Sequence, residues 1–266
     1  MAASATEELL ASLRAEPEAS AILCDIDGTL APIVDDPEAA TVPEETRSLL
    51  RALAARYALV ACVTGRRALD ARRIVGVAEI AYAGNHGFET LASGADEPQP
   101  DPAVATRVDA ARRFIEGLDS GRLGSLGIRP EDKGPIQALH WRGAADEAAA
   151  QALVEDLADS ARAIGLVPRW GRKVLEVRPI AGIDKGSAAR RMLDDAGVAN
   201  ALFGGDDRTD LDAFAAIRRM ADANRLRTAV CVGVTSEEQP EGLAERADFL
   251  VSGTEGFREL LEGLVQ

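Results

Sequence analysis

Several short stretches of this 266-residue chain put reactive side chains where a strand would end or a helix begin. The first is Ala21-Ile-Leu-Cys-Asp25-Ile-Asp27-Gly28-Thr29, in which two carboxylates one residue apart enter a glycine turn. Side chains alternate along a strand, but a turn at Gly28 lets Asp25 and Asp27 reach one small volume. Carboxylates that share a volume repel unless a cation or a proton separates them. An all-oxygen donor set selects a hard ion, magnesium rather than zinc. A solvated acidic turn is the plain alternative for these residues alone. A calcium loop of the D-x-D-x-D-G type is excluded, because Thr29 stands where its third ligand would be.

Further groups follow at similar places. Thr64-Gly65-Arg66 follows an apolar run, so the Thr64 hydroxyl and the next amides could donate to a phosphate oxygen; Thr64 would serve equally as a helix N-cap. His86, in Gly84-Asn85-His86-Gly87, suits either a ligand contact or a turn. Lys185 falls in the first turn of a helix, whose positive end disfavours it, so either an anion or water must compensate. Asp206, Asp207 and Asp210 crowd the end of another apolar run, an arrangement that calls for a shared cation.

The elements needed to position these groups are legible as pattern. Residues 21–24 are too short for a helix and apolar on both faces, as in an interior parallel strand whose C-terminal end binds ligands. Comparable runs at 57–63, 79–83, 201–203, 229–234 and 249–251 alternate with helical patterns at 6–15, 43–56, 67–75 and 185–195. Residues 31–42 form a connection over the active face, and 93–102 form a Gly/Asp/Pro-rich link. Between lies helix (103–118), hairpin (125–130, 136–141), helix (144–164), hairpin (167–170, 173–177). The expected architecture is α/β, a doubly wound parallel-sheet core (1–101 and 180–266) with an inserted α+β cap domain (102–179).

Composition limits the partners. A net charge of −14 argues against nucleic acid and anionic membranes. The three cysteines, Cys24, Cys62 and Cys231, each sit in an apolar run and read as buried hydrophobes rather than a disulfide or zinc framework. The acidic first 20 residues lack a signal-peptide pattern, and no stretch is long and apolar enough to span a membrane. A cytoplasmic monomer is the expectation. Walker, G-x-G-x-x-G, H-E-x-x-H and G-x-S-x-G motifs are absent from the sequence.

Taken together, Asp25-Ile-Asp27-Gly-Thr, Thr64-Gly-Arg, Lys185-Gly and Gly-Asp206-Asp207-Arg-Thr-Asp210 resemble, in order and context, the motifs of haloacid dehalogenase superfamily phosphatases. The resemblance implies Asp25 as nucleophile, Asp27 as general acid and base, and Thr64, Gly65 and Lys185 on the phosphate. It further implies magnesium on Asp25, the main-chain carbonyl of Asp27 and Asp206, with Asp207 and Asp210 as further metal or supporting groups. Glu131-Asp-Lys133 to His140-Trp-Arg142, then Gly171 to Pro179 with Glu176, is similar to the cap signature of trehalose-6-phosphate phosphatases. That family implies sugar contacts for Glu131, Lys133 and Glu176, to which His86 and Arg142 are added as substrate-binding candidates. An exposed, salt-bridged hairpin is the alternative. Thr64 stands where serine is frequent, Trp141 where tyrosine is frequent, and Asn85 also departs from the family's usual forms.

The expected activity is Mg-dependent hydrolysis of trehalose 6-phosphate, with a trehalose-phosphate synthase as candidate partner. The alternatives are a sister phosphatase acting on sucrose phosphate or a glycosyl-phosphoglycerate, and a phospho-accepting receiver module.

Overall fold

The computed structural model describes residues 2–34, 36–105, 107–171, 173–236 and 240–266. The chain divides into two compact units, Met1–Gln99 with Ile183–Gln266, and Pro100–Gly182.

In the first unit the chain runs α1 (Ala2–Ala15), β1 (Ser20–Cys24), α2 (Glu44–Ala54), β2 (Leu59–Val63), α3 (Ala68–Val75), β3 (Ala81–Gly84) and β4 (Glu89–Leu91), and β5 (Gln99–Pro100) spans the boundary to the second. The second unit holds α4 (Val108–Glu116), α5 (Ser120–Ser125), β6 (Arg129–Asp132), β7 (Gln137–His140), α6 (Glu147–Ala163), β8 (Val167–Gly171) and β9 (Val174–Arg178). The first unit resumes with α7 (Lys185–Ala196), β10 (Asn200–Gly205), α8 (Asp210–Asp222), β11 (Thr228–Thr235), α9 (Leu243–Arg246), β12 (Phe249–Ser252) and α10 (Gly253–Val265).

The first sheet has the order β12-β11-β10-β1-β2-β3-β4-β5, parallel from β12 through β3, with β4 antiparallel to β3. From β1 the chain builds outward to β2 and β3 on one side, and after the second unit to β10, β11 and β12 on the other. β1 is therefore the topological switch point, where the crossovers leave a crevice at the strands' C-terminal ends. Both sheet faces are covered. Ile22, Cys24, Cys62, Tyr82 and Leu202 point into a core shared with α1, α2, α3 and α10, while Leu23, Ala61, Val63 and Phe203 point into a core shared with α7 and α8. Two covered faces explain why these strands read as unbroken apolar runs. All three cysteines are buried and unbridged.

The second unit's sheet is antiparallel, with order β6-β7-β9-β8. Its period of two is plain: Leu139, Leu175 and Val177 enter a core with Ala150, Val154 and Ala158 of α6. On the other face Glu131 stands beside Ala138, Ala138 beside Glu176, and Glu176 beside Arg169. Trp141 packs edge-on against Trp170 within this unit, so its departure from tyrosine is a matter of packing.

Two expectations are corrected. Residues 125–130 are not one strand: α5 ends at Ser125, and the strand begins only at Arg129. Asp119 caps α5 by accepting from Arg122 N–H, and Gly127 turns the chain with φ +68°. The helix expected over 103–118 is shorter, running only from Val108 to Glu116. Within the 93–102 link lies β5, and β4 before it, too short to show a period, extends the sheet as well. No helix among the described residues is long and apolar enough to cross a membrane.

Candidate active site

β1, β2, β3 and β10 release their chains at the same edge of the sheet. Asp25, Asp27, Thr64, Gly65, Arg66, His86, Lys185, Asp206 and Asp207 line one cavity there, of about 360 Å³, together with Ile33, Val34 and Pro37 of the loop after β1. Asp210 is fully buried beside it.

Gly28 makes the acidic floor possible. Its φ is +83°, and a Cβ there would come within 2.1 Å of the Asp206 carboxylate, which occupies the space a side chain would need. Thr29 fixes Asp206 from the same turn, its hydroxyl donating to Oδ1 at 2.9 Å. Asp25 extends from β1 to Lys185 Nζ at 2.8 Å, and the same ammonium meets Asp210 at 2.8 Å and Asp207 at 3.7 Å. These three carboxylates answer the unfavourable position of Lys185 at the first residue of α7, a helix closed by the reciprocal Asp184–Ser187 capping box. Burial opposes the Lys185 charge, yet Asp210, Asp25 and Asp207 hold its pKa well above the ordinary lysine range.

Burial pushes the carboxyl of Asp25 up to about 6 and that of Asp206 up to about 7; the charge of Asp207 adds to the first and those of Asp25 and Asp207 to the second, and Lys185 only partly offsets them. Asp207 goes the other way. Against burial, Lys185 and hydrogen bonds from Thr209 and the Asp210 amide bring it down to about 2.

Asp25, Asp206 and Asp210 each offer an oxygen within 4.8 Å of the others, a hard donor set that fits a divalent cation. Asp210 is already engaged on both oxygens, by Lys185 and by the amides of Asp206 and Asp207. Asp25 and Asp206 are thus the carboxylates of this set with capacity to spare. Asp207 is not in this cluster and serves the turn, accepting from Thr209 N–H and its hydroxyl. The Asp27 carboxylate is turned elsewhere: Arg66 grips both its oxygens at 2.7 and 2.6 Å and reaches the Pro37 carbonyl at 2.8 Å.

Thr64 is buried and does not cap α3, which starts at Ala68 with Arg67 as its N-cap. Its oxygen accepts from Arg66 N–H at 3.2 Å, which leaves the hydroxyl proton for a cavity ligand. Glu131, Lys133, Glu176 and Arg142 belong to the second unit, outside this lining. There Lys133 meets Glu176 at 3.3 Å, Arg178 meets Glu176 at 2.6 Å, and His140 meets Glu131 at 2.7 Å. Arg142 lies exposed in the turn after β7.

Arg66 and Thr29, which stand in the sequence motifs without an assigned role, are direct neighbours of Asp27 and Asp206. The signal for Arg66 was available, a cation three positions after a strand end that faces an acid pair; nothing in sequence fixed its direction.

Residues 23–245 match the trehalose-phosphatase family, the greater part of the chain including every site residue above. The chain belongs to that family. It is 38% identical over 208 residues to a trehalose-phosphate phosphatase of Mycobacterium avium, covering 74% of this chain and 51% of that protein. A trehalose 6-phosphate phosphatase of Zea mays, RA3, is 30% identical over 275 residues, covering 97% of this chain and 72% of the other. The chain thus spans about half the length of the mycobacterial relative. Among solved structures, a trehalose-6-phosphate phosphatase related protein superposes with a TM-score of 0.70 at 25% identity, over 92% of this chain and 96% of that one. Haloacid dehalogenase-like hydrolases share the fold of this trehalose-phosphatase family member, a doubly wound core with an inserted α+β unit.

Proposed function

We propose that this family member hydrolyses trehalose 6-phosphate to trehalose and phosphate through an aspartyl-phosphate on Asp25. The observation that carries the reading is the Asp25 carboxylate, at the switch point of the sheet, 2.8 Å from the buried ammonium of Lys185 in a cavity that also presents Thr64 and Asp27.

Phosphate monoesters resist hydrolysis, so the chemistry benefits from neutralised charge and from division into two displacements. In the first, an Asp25 oxygen bonds to phosphorus, the ester P–O bond breaks, and Asp27 gives a proton to the departing sugar oxygen. In the second, Asp27 takes a proton from water as that water bonds to phosphorus, and the acyl phosphate breaks to return Asp25 and release phosphate. To carry a proton, Asp27 has to give up one of its two bonds from Arg66. Lys185, the Thr64 hydroxyl and the amide of Gly65 hold the phosphate oxygens.

A magnesium ion would be held by Asp25, Asp206 and the main-chain carbonyl of Asp27, with Asp207 and Asp210 in support, and would supply charge neutralisation between nucleophile and phosphate. Glu131, Lys133, Glu176 and Arg142 would bind sugar hydroxyls, since carboxylates accept and ammonium donates, and His86 would contact the substrate. A trehalose-phosphate synthase would supply the substrate, in the cytoplasm.

Phosphate release from trehalose 6-phosphate, sucrose 6-phosphate and glucose 6-phosphate, with magnesium or chelator and Asp25→Asn as blank, tests the reading. Metal-dependent release from the trehalose ester alone is expected. Preference for another ester would discard the sugar assignment, and a stable phospho-Asp25 without turnover would discard the enzyme.

A further inference from the structure

The mechanism above uses nothing from β4, yet that strand opens with a buried carboxylate, Glu89. Before it the backbone of Asn85, His86 and Gly87 is left-handed at three residues in a row, with φ of +51°, +59° and +103°. Glycine takes that region freely and asparagine fairly readily; histidine does so where its surroundings hold it.

What holds it is the Thr64–Arg66 loop. Asn85 N–H donates to the Arg66 carbonyl at 2.7 Å and His86 N–H to the Thr64 carbonyl at 2.8 Å, so the turn is bonded to both neighbours of Gly65. The His86 ring lies against Gly65, where a Cβ would come within 2.8 Å of its Cε1. The turn also meets α7: a Cβ on Gly87 would stand 2.6 Å from that of Ala188, and Arg191 donates to the Gly87 carbonyl at 3.0 Å. One turn therefore touches both elements that carry Thr64 and Lys185.

A single oxygen ties this turn to the helix after the loop. Glu89 Oε1 accepts from Asn85 Nδ2 at 3.1 Å and from Ala68 N–H at 2.7 Å. Ala68 is the first residue of α3, whose N-cap residue Arg67 makes no side-chain capping bond, so Glu89 caps that helix from a neighbouring strand. Gly84, paired with Glu89 in the β3–β4 register, keeps the space open: a Cβ there would stand 2.3 Å from Ala68 N and 2.9 Å from Glu89 Oε1.

We propose that Glu89 is a positioning residue for phosphate binding, which locks the Asn85–His86 turn to the start of α3 and so fixes the Thr64–Arg66 loop between them. The inference rests on the phosphatase reading of that loop.

The test is calorimetric binding of inorganic phosphate and orthovanadate to Glu89→Ala, Glu89→Gln and Asn85→Gly in the full chain with magnesium, beside KM and kcat for trehalose 6-phosphate. Glu89→Ala is expected to weaken both anions and raise KM by about tenfold, whereas Glu89→Gln, which keeps an acceptor oxygen, stays within about threefold. Asn85→Gly relieves the backbone while removing the Nδ2 tether, and is expected to fold and still bind phosphate several-fold more weakly. Unchanged anion affinity in Glu89→Ala, or a Glu89→Gln as weak as Glu89→Ala, overturns the proposal. Should Glu89→Ala fail to fold, unchanged affinity in Asn85→Gly overturns it. Glu89-dependent vanadate binding without turnover of the sugar ester would sink the proposed activity and leave this inference standing.

Discussion

At the scale of single residues the site is a balance of charges that only contact can set. Three acids surround Lys185, and a fourth, Asp27, is gripped by Arg66 instead. Because that grip fixes both the place of Asp27 and its link to Pro37, Arg66→Ala should lower kcat for the sugar ester by about 10- to 100-fold. An aryl phosphate, whose leaving group needs no proton, should lose much less. Steady-state kinetics on the two esters make the comparison, and equal losses on both would deny Arg66 this role.

The scale of elements shows in the second unit's sheet. Antiparallel pairing sets Glu131, Ala138, Glu176 and Arg169 in a row on one face while Leu139 and Leu175 fill the other. Lys133→Ala removes an ammonium 3.3 Å from Glu176 and leaves the core of that unit untouched. We expect it to raise KM for trehalose 6-phosphate by about tenfold or more, with aryl phosphate turnover and melting temperature close to the parent's. A parallel loss on both esters would return this face to a solvated salt-bridge network.

For the whole molecule, pH and the proposed magnesium would act through the same carboxyls. The folded chain holds Asp206 near 7 and Asp25 near 6 against an ordinary 3.8, so each binds a proton that the unfolded chain has released. That contribution is complete below the unfolded value and is lost as pH rises through about 6 to 7. The metal-free protein should therefore lose melting temperature between about pH 5 and about pH 8, and magnesium should restore more at the higher pH, where it replaces the missing proton. Calorimetry with chelator and with magnesium measures both slopes; a magnesium effect larger at the acid end would contradict the assignment. Separate cores also predict separate responses. Leu175→Ala, within the second unit's core, should speed amide exchange across 100–182 while β1 and β10 stay protected.

What the sequence determined by itself was whatever is written in local pattern. Apolar runs stopped by Asp, Thr or Gly marked the parallel strands, because a strand covered on both faces admits nothing polar until it ends. The same stops delivered Asp25, Thr64 and Asp206 to one edge. A lysine at the wrong end of a helix announced an anion nearby without saying which. Tertiary structure alone decided the partners. The capacity of Asp25 and Asp206 for a cation depends on Asp210 being spent on Lys185 and two amides, and the direction of Arg66 depends on Asp27 and Pro37 meeting across a loop. Glu89 is the clearest case. In the chain it is one acid in a short strand, and it caps α3 only because β3 and β4 carry it 21 residues back to Ala68. Such bonds join residues far apart in sequence, and no periodicity encodes the distance between them.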